Sequence, residues 1–248
     1  MLYSPKIEGD FKTSYMKQRI EQLNWPHITG HMNDSGYVLV NSVLTAAECD
    51  DLTRQYDNKD LYRKTIVMER YRFGLGEYKY FNYPLPAIVE QVRQSVYSWL
   101  APIANNWMKA LNIDKHFPED LAKLLDECHQ HDQTRPTPLI LRYGKGGYNT
   151  LHQDLYGEVY FPMQLVLFLD EPGKDYDGGE FVLIEQRPRA QSKAIVLKPH
   201  KGDMLLFTTN FRPVKGAKGY YRVNMKHGVS ELTSGIRHTL GIIFHDAA

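Results

Sequence analysis

After Pro136 and Pro138 the chain becomes a succession of short apolar runs: LILRY, MQLVLFLD, EFVLI, AIVLK, DMLLF, YRVNM and TLGIIF. Each has the length of a strand and is too short for a helix of three turns. Between them stand GKGG, DYDGG, HKGD and VKGAKG, whose glycines, aspartates and lysines are the chemistry of tight turns. Many short strands joined in this way predict a two-sheet antiparallel barrel or jelly roll over residues 136–248.

The preceding stretch, 1–135, reads as a mainly helical N-terminal extension packed on that core, giving an α+β protein that forms one structural unit. Thr45 stands three residues before Glu48, a capping-box pattern that starts a helix near Ala46 and carries it to about Tyr56. From Ala87 the apolar residues Ile88, Val92, Val96, Trp99, Leu100, Ile103 and Trp107 recur at steps of three and four, which predicts a long amphipathic helix to about Leu111. In MERYRFGLGEYKYFNYPLP, Met68 to Pro86, aromatic and basic residues interleave around Gly74 and Gly76. Residues 68–84 read either as a strand with one buried face or as an aromatic lid on which a planar substrate stacks.

Composition narrows the functional classes. The chain has 248 residues, 42% of them hydrophobic and 12% aromatic, enough for a substantial core. The formal charge is +1, so global balance argues for neither nucleic acid nor a membrane surface. Charge is uneven, however: from Glu185 to Ser230 there are ten basic residues against two acidic ones, Glu185 and Asp203. That favours an anionic partner, nucleic acid among them, unless the N-terminal part covers it. Cys49 and Cys128 match neither a disulfide framework nor a zinc module, which suits a reducing cytoplasm. No apolar run approaches the length needed to span a bilayer, and no signal-peptide pattern opens the chain, so a cytoplasmic protein away from membranes is expected.

The chemistry concentrates in TLHQDLYGEVYF. Residues two apart on a strand share a face, so His152 and Asp154 reach one point in space. An imidazole and a carboxylate suit a divalent transition metal, and a second histidine completes the set of a non-haem Fe(II) oxygenase. His227, which ends a strand-like run and precedes Gly228, is the best candidate for it. Ten residues later Arg237 and Thr239 again share a face, and an arginine fork beside a hydroxyl fits a carboxylate held inside a barrel. The rival set in ECHQHDQ (Glu127, Cys128, His129, His131, Asp132) has no zinc-module spacing and reads as a polar helix end. Glu158 reads as a solvated loop carboxylate, His238 as facing away from Arg237, and the glycines of DYDGGEF as structural.

His152-x-Asp154, His227 and Arg237-x-Thr239 on strands of a jelly roll resemble the Fe(II)- and 2-oxoglutarate-dependent dioxygenases, whose core is a double-stranded β-helix. The resemblance implies iron on His152, Asp154 and His227. It also implies 2-oxoglutarate on Arg237 and Thr239, with Tyr143 as a further cosubstrate contact. Such an enzyme couples decarboxylation of 2-oxoglutarate by O2 to oxidation of a C–H bond. RYGKGGYNTLHQD is locally similar to the AlkB-type nucleic-acid dealkylases, whereas the single arginine after His227 is spaced as in the prolyl-hydroxylase-like branch. The runs TPLILRYGKGGYN, HQDLYGEVYFP, GGEFVLIEQRPR, YRVNMKHGVS and RHTLGIIFHDA, with EYKYFNYPLP upstream, resemble a bacterial oxygenase family whose name attributes to it oxidative repair of damaged DNA. Demethylation of a damaged base is therefore one expectation, and hydroxylation of a protein side chain or free amino acid the other. A non-catalytic binding module has no use for Arg237 beside an open metal site.

Overall fold

A computed structural model describes residues 15–248. Its strands are β1 (Tyr37–Val40), β2 (Tyr62–Val67), β3 (Gly74–Leu75), β4 (Glu77–Phe81), β5 (Leu139–Tyr143), β6 (Tyr148–His152), β7 (Met163–Phe168), β8 (Tyr176–Gly178), β9 (Phe181–Gln186), β10 (Lys193–Leu197), β11 (Met204–Thr208), β12 (Phe211–Gly216), β13 (Gly219–Val229), β14 (Leu232–Gly235) and β15 (Arg237–Ile243). A seven-stranded sheet has the order β1-β11-β7-β15-β5-β4-β2, and a six-stranded sheet runs β10-β9-β13-β6-β3 with β12 on β13. The ladders are antiparallel, and the two facing sheets fit a jelly-roll core. All seven apolar runs form strands.

The longer helices are α1 (Trp25–Ser35), α2 (Ala46–Arg54), α3 (Ala87–Ala110) and α4 (Leu121–Gln130). The Thr45–Glu48 capping box starts α2, and Arg19 braces it through Glu48 at 2.7 Å. Helix α3 buries Val89, Val92, Val96, Leu100, Ile103 and Trp107 against Ile140, Leu165, Leu167, Leu240 and Ile242 of the larger sheet. Trp99, although in register with that stripe, is 41% exposed and stacks on Trp25 with ring centroids 5.0 Å apart. Arg93 locks α3 to the last strand: its guanidinium donates to the carbonyls of Ile243 and Phe244 and to Asp246.

Residues before 135 are less helical than the sequence reading expected. Strands β1, β2 and β4 extend the larger sheet, and β3 pairs with β6 on the smaller one. Tyr78 and Tyr80 alternate with Lys79 as a strand with one inward face requires, so β4 forms part of the barrel wall.

Candidate active site

Between the sheets lies a cavity of about 410 Å³. The smaller sheet supplies the histidines: β6 runs antiparallel to β13, and His152 is the direct partner of His227. The register shifts between His227 and Val229, where a Cβ on Gly228 would lie 2.7 Å from the Asn149 carbonyl oxygen. Glycine is thus required beside the metal-ligand candidate for β6 to come close. Asp154 follows β6 and meets both rings, 3.5 Å from His152 Nε2 and 3.5 Å from His227 Nε2. One ligand atom from each of the three lies within 4.8 Å of the others, so the donor set converges as a single ion requires.

Each member is oriented by a neighbour. His152 Nδ1 donates to the Thr150 carbonyl at 2.7 Å, which leaves the Nε2 lone pair directed at the cavity. Gln164 Nε2 donates to Asp154 Oδ2 at 2.9 Å. Gln153, the middle residue of the motif, ties the turn to the carbonyls of Asn210 and Met225. His227 is held by aromatic packing, stacked on Phe181 and edge-on to Phe207. Burial, and secondarily the neighbouring His227, lowers the His152 pKa. Burial alone raises the Asp154 carboxyl, but hydrogen bonding and charge from the two histidines outweigh it and hold the group well below the usual carboxylate range.

The larger sheet supplies the other pole. On β15, Arg237, Thr239, Gly241 and Ile243 face the cavity, and Arg237 pairs across the ladder with Tyr143. Arg237 is 1% exposed, and its Nε and Nη1 have no hydrogen-bond partner. No carboxylate lies within ion-pair distance of it among the described residues. Its guanidinium carbon is instead 5.6–5.8 Å from the rings of Tyr143, Phe168 and Tyr176. The Tyr143 hydroxyl is likewise buried and unpartnered, and burial pushes its pKa up to about 12. Gly179, at φ +63, stands where a Cβ would strike Leu232 Cδ1 at 2.2 Å and approach Arg237 Cδ to 3.1 Å. A buried cation, a hydroxyl and an orphaned phenol in one wall fit a carboxylate ligand.

All six candidate residues, His152, Asp154, His227, Arg237, Thr239 and Tyr143, line this one cavity. The residues read as bystanders stay outside it: His238 turns to Asp170, Glu158 to His131, and Glu127 to Lys115. His245 is fully buried and accepts from the Phe161 N–H. Gln153, Tyr156 and Gln164 line the same cavity and escaped the sequence reading. Gln164 left a signal, since it is the lone polar residue in an apolar run that becomes a strand buried along its whole length.

Residues 76–247 match the model of a family described as "Oxygenase, catalysing oxidative methylation of damaged DNA". The chain belongs to this oxygenase family. Over 168 residues the oxygenase is 46% identical to an uncharacterized protein of Mycobacterium tuberculosis, covering 68% of this chain and 72% of the other. In fold it is similar to a Pseudomonas putida prolyl-4-hydroxylase, with TM-score 0.52, 13% identity, 88% of this chain and 97% of that one. It is also similar to a 2OG-Fe(II) oxygenase family oxidoreductase of Burkholderia pseudomallei, with TM-score 0.52, 14% identity, 92% of this chain and 94% of that one. By its family the protein is an oxidoreductase, and its His–Asp–His group fits a metal ion. Among the described residues no helix is long and apolar enough to cross a membrane.

Proposed function

We propose that His152, Asp154 and His227 hold Fe(II), and that Arg237, Thr239 and Tyr143 hold 2-oxoglutarate for the oxidation of an alkylated nucleic-acid base. The observation that carries the reading is Arg237: a buried guanidinium without a protein carboxylate, in the same cavity as the converging His–Asp–His donors. A dicarboxylate anchored there by one end directs its other end along the cavity, and its fixed length makes the distance to the metal donors a selection for 2-oxoglutarate. Iron held there would let O2 react with 2-oxoglutarate, one oxygen atom ending in succinate as CO2 leaves and the other in the oxidised C–H bond. Gln164 keeps one Asp154 oxygen engaged, and the Thr150 carbonyl keeps the His152 proton on Nδ1, so both donors meet the metal in their ligating forms.

Two observations support the nucleic-acid substrate: the family's description, and the basic stretch of the smaller sheet. Both of that stretch's acidic residues are buried and engaged, Glu185 by Arg212 and Arg187, and Asp203 by backbone N–H groups. Lys193, Lys198, Lys215, Lys218 and Arg222 remain exposed. A second reading, hydroxylation of a protein side chain or free amino acid, is favoured by the prolyl-hydroxylase fold likeness. We also infer a cytoplasmic location, since Cys49 and Cys128 are buried and unpaired.

Anaerobic reconstitution with Fe(II) and 2-oxoglutarate tests the assignment. A weak visible metal-to-ligand band is expected in the wild type and lost in His152→Ala and Asp154→Ala; a wild type without a cosubstrate-dependent band rejects the reading. Succinate release driven by methylated oligonucleotides, and not by peptides or amino acids, separates the two substrates.

A further inference from the structure

The cavity has a second pole that the iron and cosubstrate assignments leave unused. Along β15, Gly241 lies four residues beyond Arg237, roughly 13 Å at the rise of a strand. Across the sheet from Gly241 stands Leu139, and beyond Leu139 stands Tyr80; one step back, Tyr78 stands beside Leu141 and Thr239. Tyr78 and Tyr80 meet edge to face at 90°, with centroids 5.4 Å apart, so they present two perpendicular walls. Tyr156, just past the His152–Asp154 turn, lines the same cavity, and its hydroxyl is buried without a partner. At the rim Phe73 is 45% exposed and stacks on Tyr71 at 5.5 Å.

We propose that Tyr78, Tyr80 and Tyr156 form the substrate subsite, and that its ligand is a flat heteroaromatic ring, neutral or cationic, bearing the alkyl group to be oxidised. This rests on the dioxygenase reading above and deepens it. Three features select the ligand. Among the described residues the only Lys or Arg lining the cavity is Arg237, at the far pole, so no lining cation at this pole compensates an anionic head group. Asp154 adds negative charge close by, which favours a cation or a neutral ring. The aromatic walls offer stacking faces; Arg63, which does not line the cavity, covers one face of Tyr80 with its guanidinium 4.5 Å from the ring centroid. The Tyr156 hydroxyl separates a base from a saturated ring. A heteroaromatic edge gives that hydroxyl a donor or acceptor, whereas a prolyl or aliphatic side chain would cover it unsatisfied. Gly241 contributes by having no side chain: the row running from Tyr80 through Leu139 stays open at that strand.

Isothermal titration of 1-methyladenosine, 3-methylthymidine and N-acetylprolinamide into the protein loaded anaerobically with Fe(II) and 2-oxoglutarate tests the subsite. Both nucleosides are expected to bind more tightly than the prolinamide. Tyr156→Phe, which keeps the ring, is expected to weaken nucleoside binding about tenfold. Tyr80→Leu, which removes a stacking face, is expected to weaken it by about as much or more. The affinity for 2-oxoglutarate stays unchanged in both, which also shows that the variants are folded. Prolinamide binding as tight as the nucleosides, or nucleoside affinity unchanged in both variants, overturns the proposal. A wild type that takes up Fe(II) and 2-oxoglutarate but binds neither nucleoside removes this subsite alone. A wild type that takes up neither removes the dioxygenase reading and the subsite with it.

Discussion

Arg237 is held against three aromatic rings with two of its nitrogens unpartnered, an arrangement that costs the protein desolvation energy without an internal ion pair in return. Arg237→Ala is therefore expected to lower 2-oxoglutarate affinity by roughly 10- to 100-fold, the worth of one charge-assisted hydrogen-bonded pair, while Fe(II) binding survives. Titration of both ligands into the variant checks it, and unchanged 2-oxoglutarate affinity removes the assignment. At this scale the sequence was informative wherever a residue carries a strong chemical preference. His152 and Asp154 stand out by their spacing, and His227 and Arg237 because such side chains are expensive in a buried strand unless something uses them. Tyr78 and Tyr80 belong to the aromatic stretch whose strand and stacking readings the sequence left open, and Tyr156 does not stand out; their convergence on one cavity is what marks all three.

Elements decide how tightly the donors are held. The His152–His227 pairing depends on β6 approaching β13, and Gly228 is the residue over which that approach occurs. In Gly228→Ala the new Cβ meets the Asn149 carbonyl, a backbone atom that yields only by moving β6. The expected result is a loss of about 1–3 kcal/mol in stability together with weaker Fe(II) binding, measured by denaturant titration and metal titration. Stability loss with unaltered metal affinity would separate the bulge from the site. Element type was legible from spacing: the capping box located α2, and the three-and-four repeat located α3 to within a residue or two. What spacing missed is edge structure. Strands β1 to β4 are short, lie in polar or aromatic contexts and acquire their identity from partners distant in sequence, so their local pattern is weak.

For the whole molecule, the two-sheet architecture followed from the apolar runs and turns, whereas the strand count and the pairing order did not: the seven runs are seven of fifteen strands, and antiparallel ladders between distant strands leave no local mark. The larger sheet interleaves N- and C-terminal strands, with β5 between β4 and β15, so residues 15–135 and 136–248 share one sheet. His245 reports on that assembly. Burial, and after it the charge of Arg93, lowers its pKa to about 4. Its unfolded value is about 6.5, so the unfolded chain binds the extra proton first as pH falls. The stabilisation is complete above about pH 6.5 and is lost progressively towards pH 4, the loss reaching about 2 kcal/mol at pH 5. His245→Asn keeps an acceptor for the Phe161 N–H and lacks the titration. Between pH 7.5 and 5, its denaturation free energy is expected to fall by about 2 kcal/mol less than that of the wild type; equal slopes would clear His245 of the role.

The uncompensated charge in the β15 wall has a consequence for how long the protein lasts. A ligand that binds only the folded state adds about 2.7 kcal/mol at a hundred times its dissociation constant. With a dicarboxylate answering Arg237, that gain falls on the strand at the centre of the larger sheet, where local opening exposes most of the core. Resistance to proteolysis is then expected to rise with the concentration of 2-oxoglutarate.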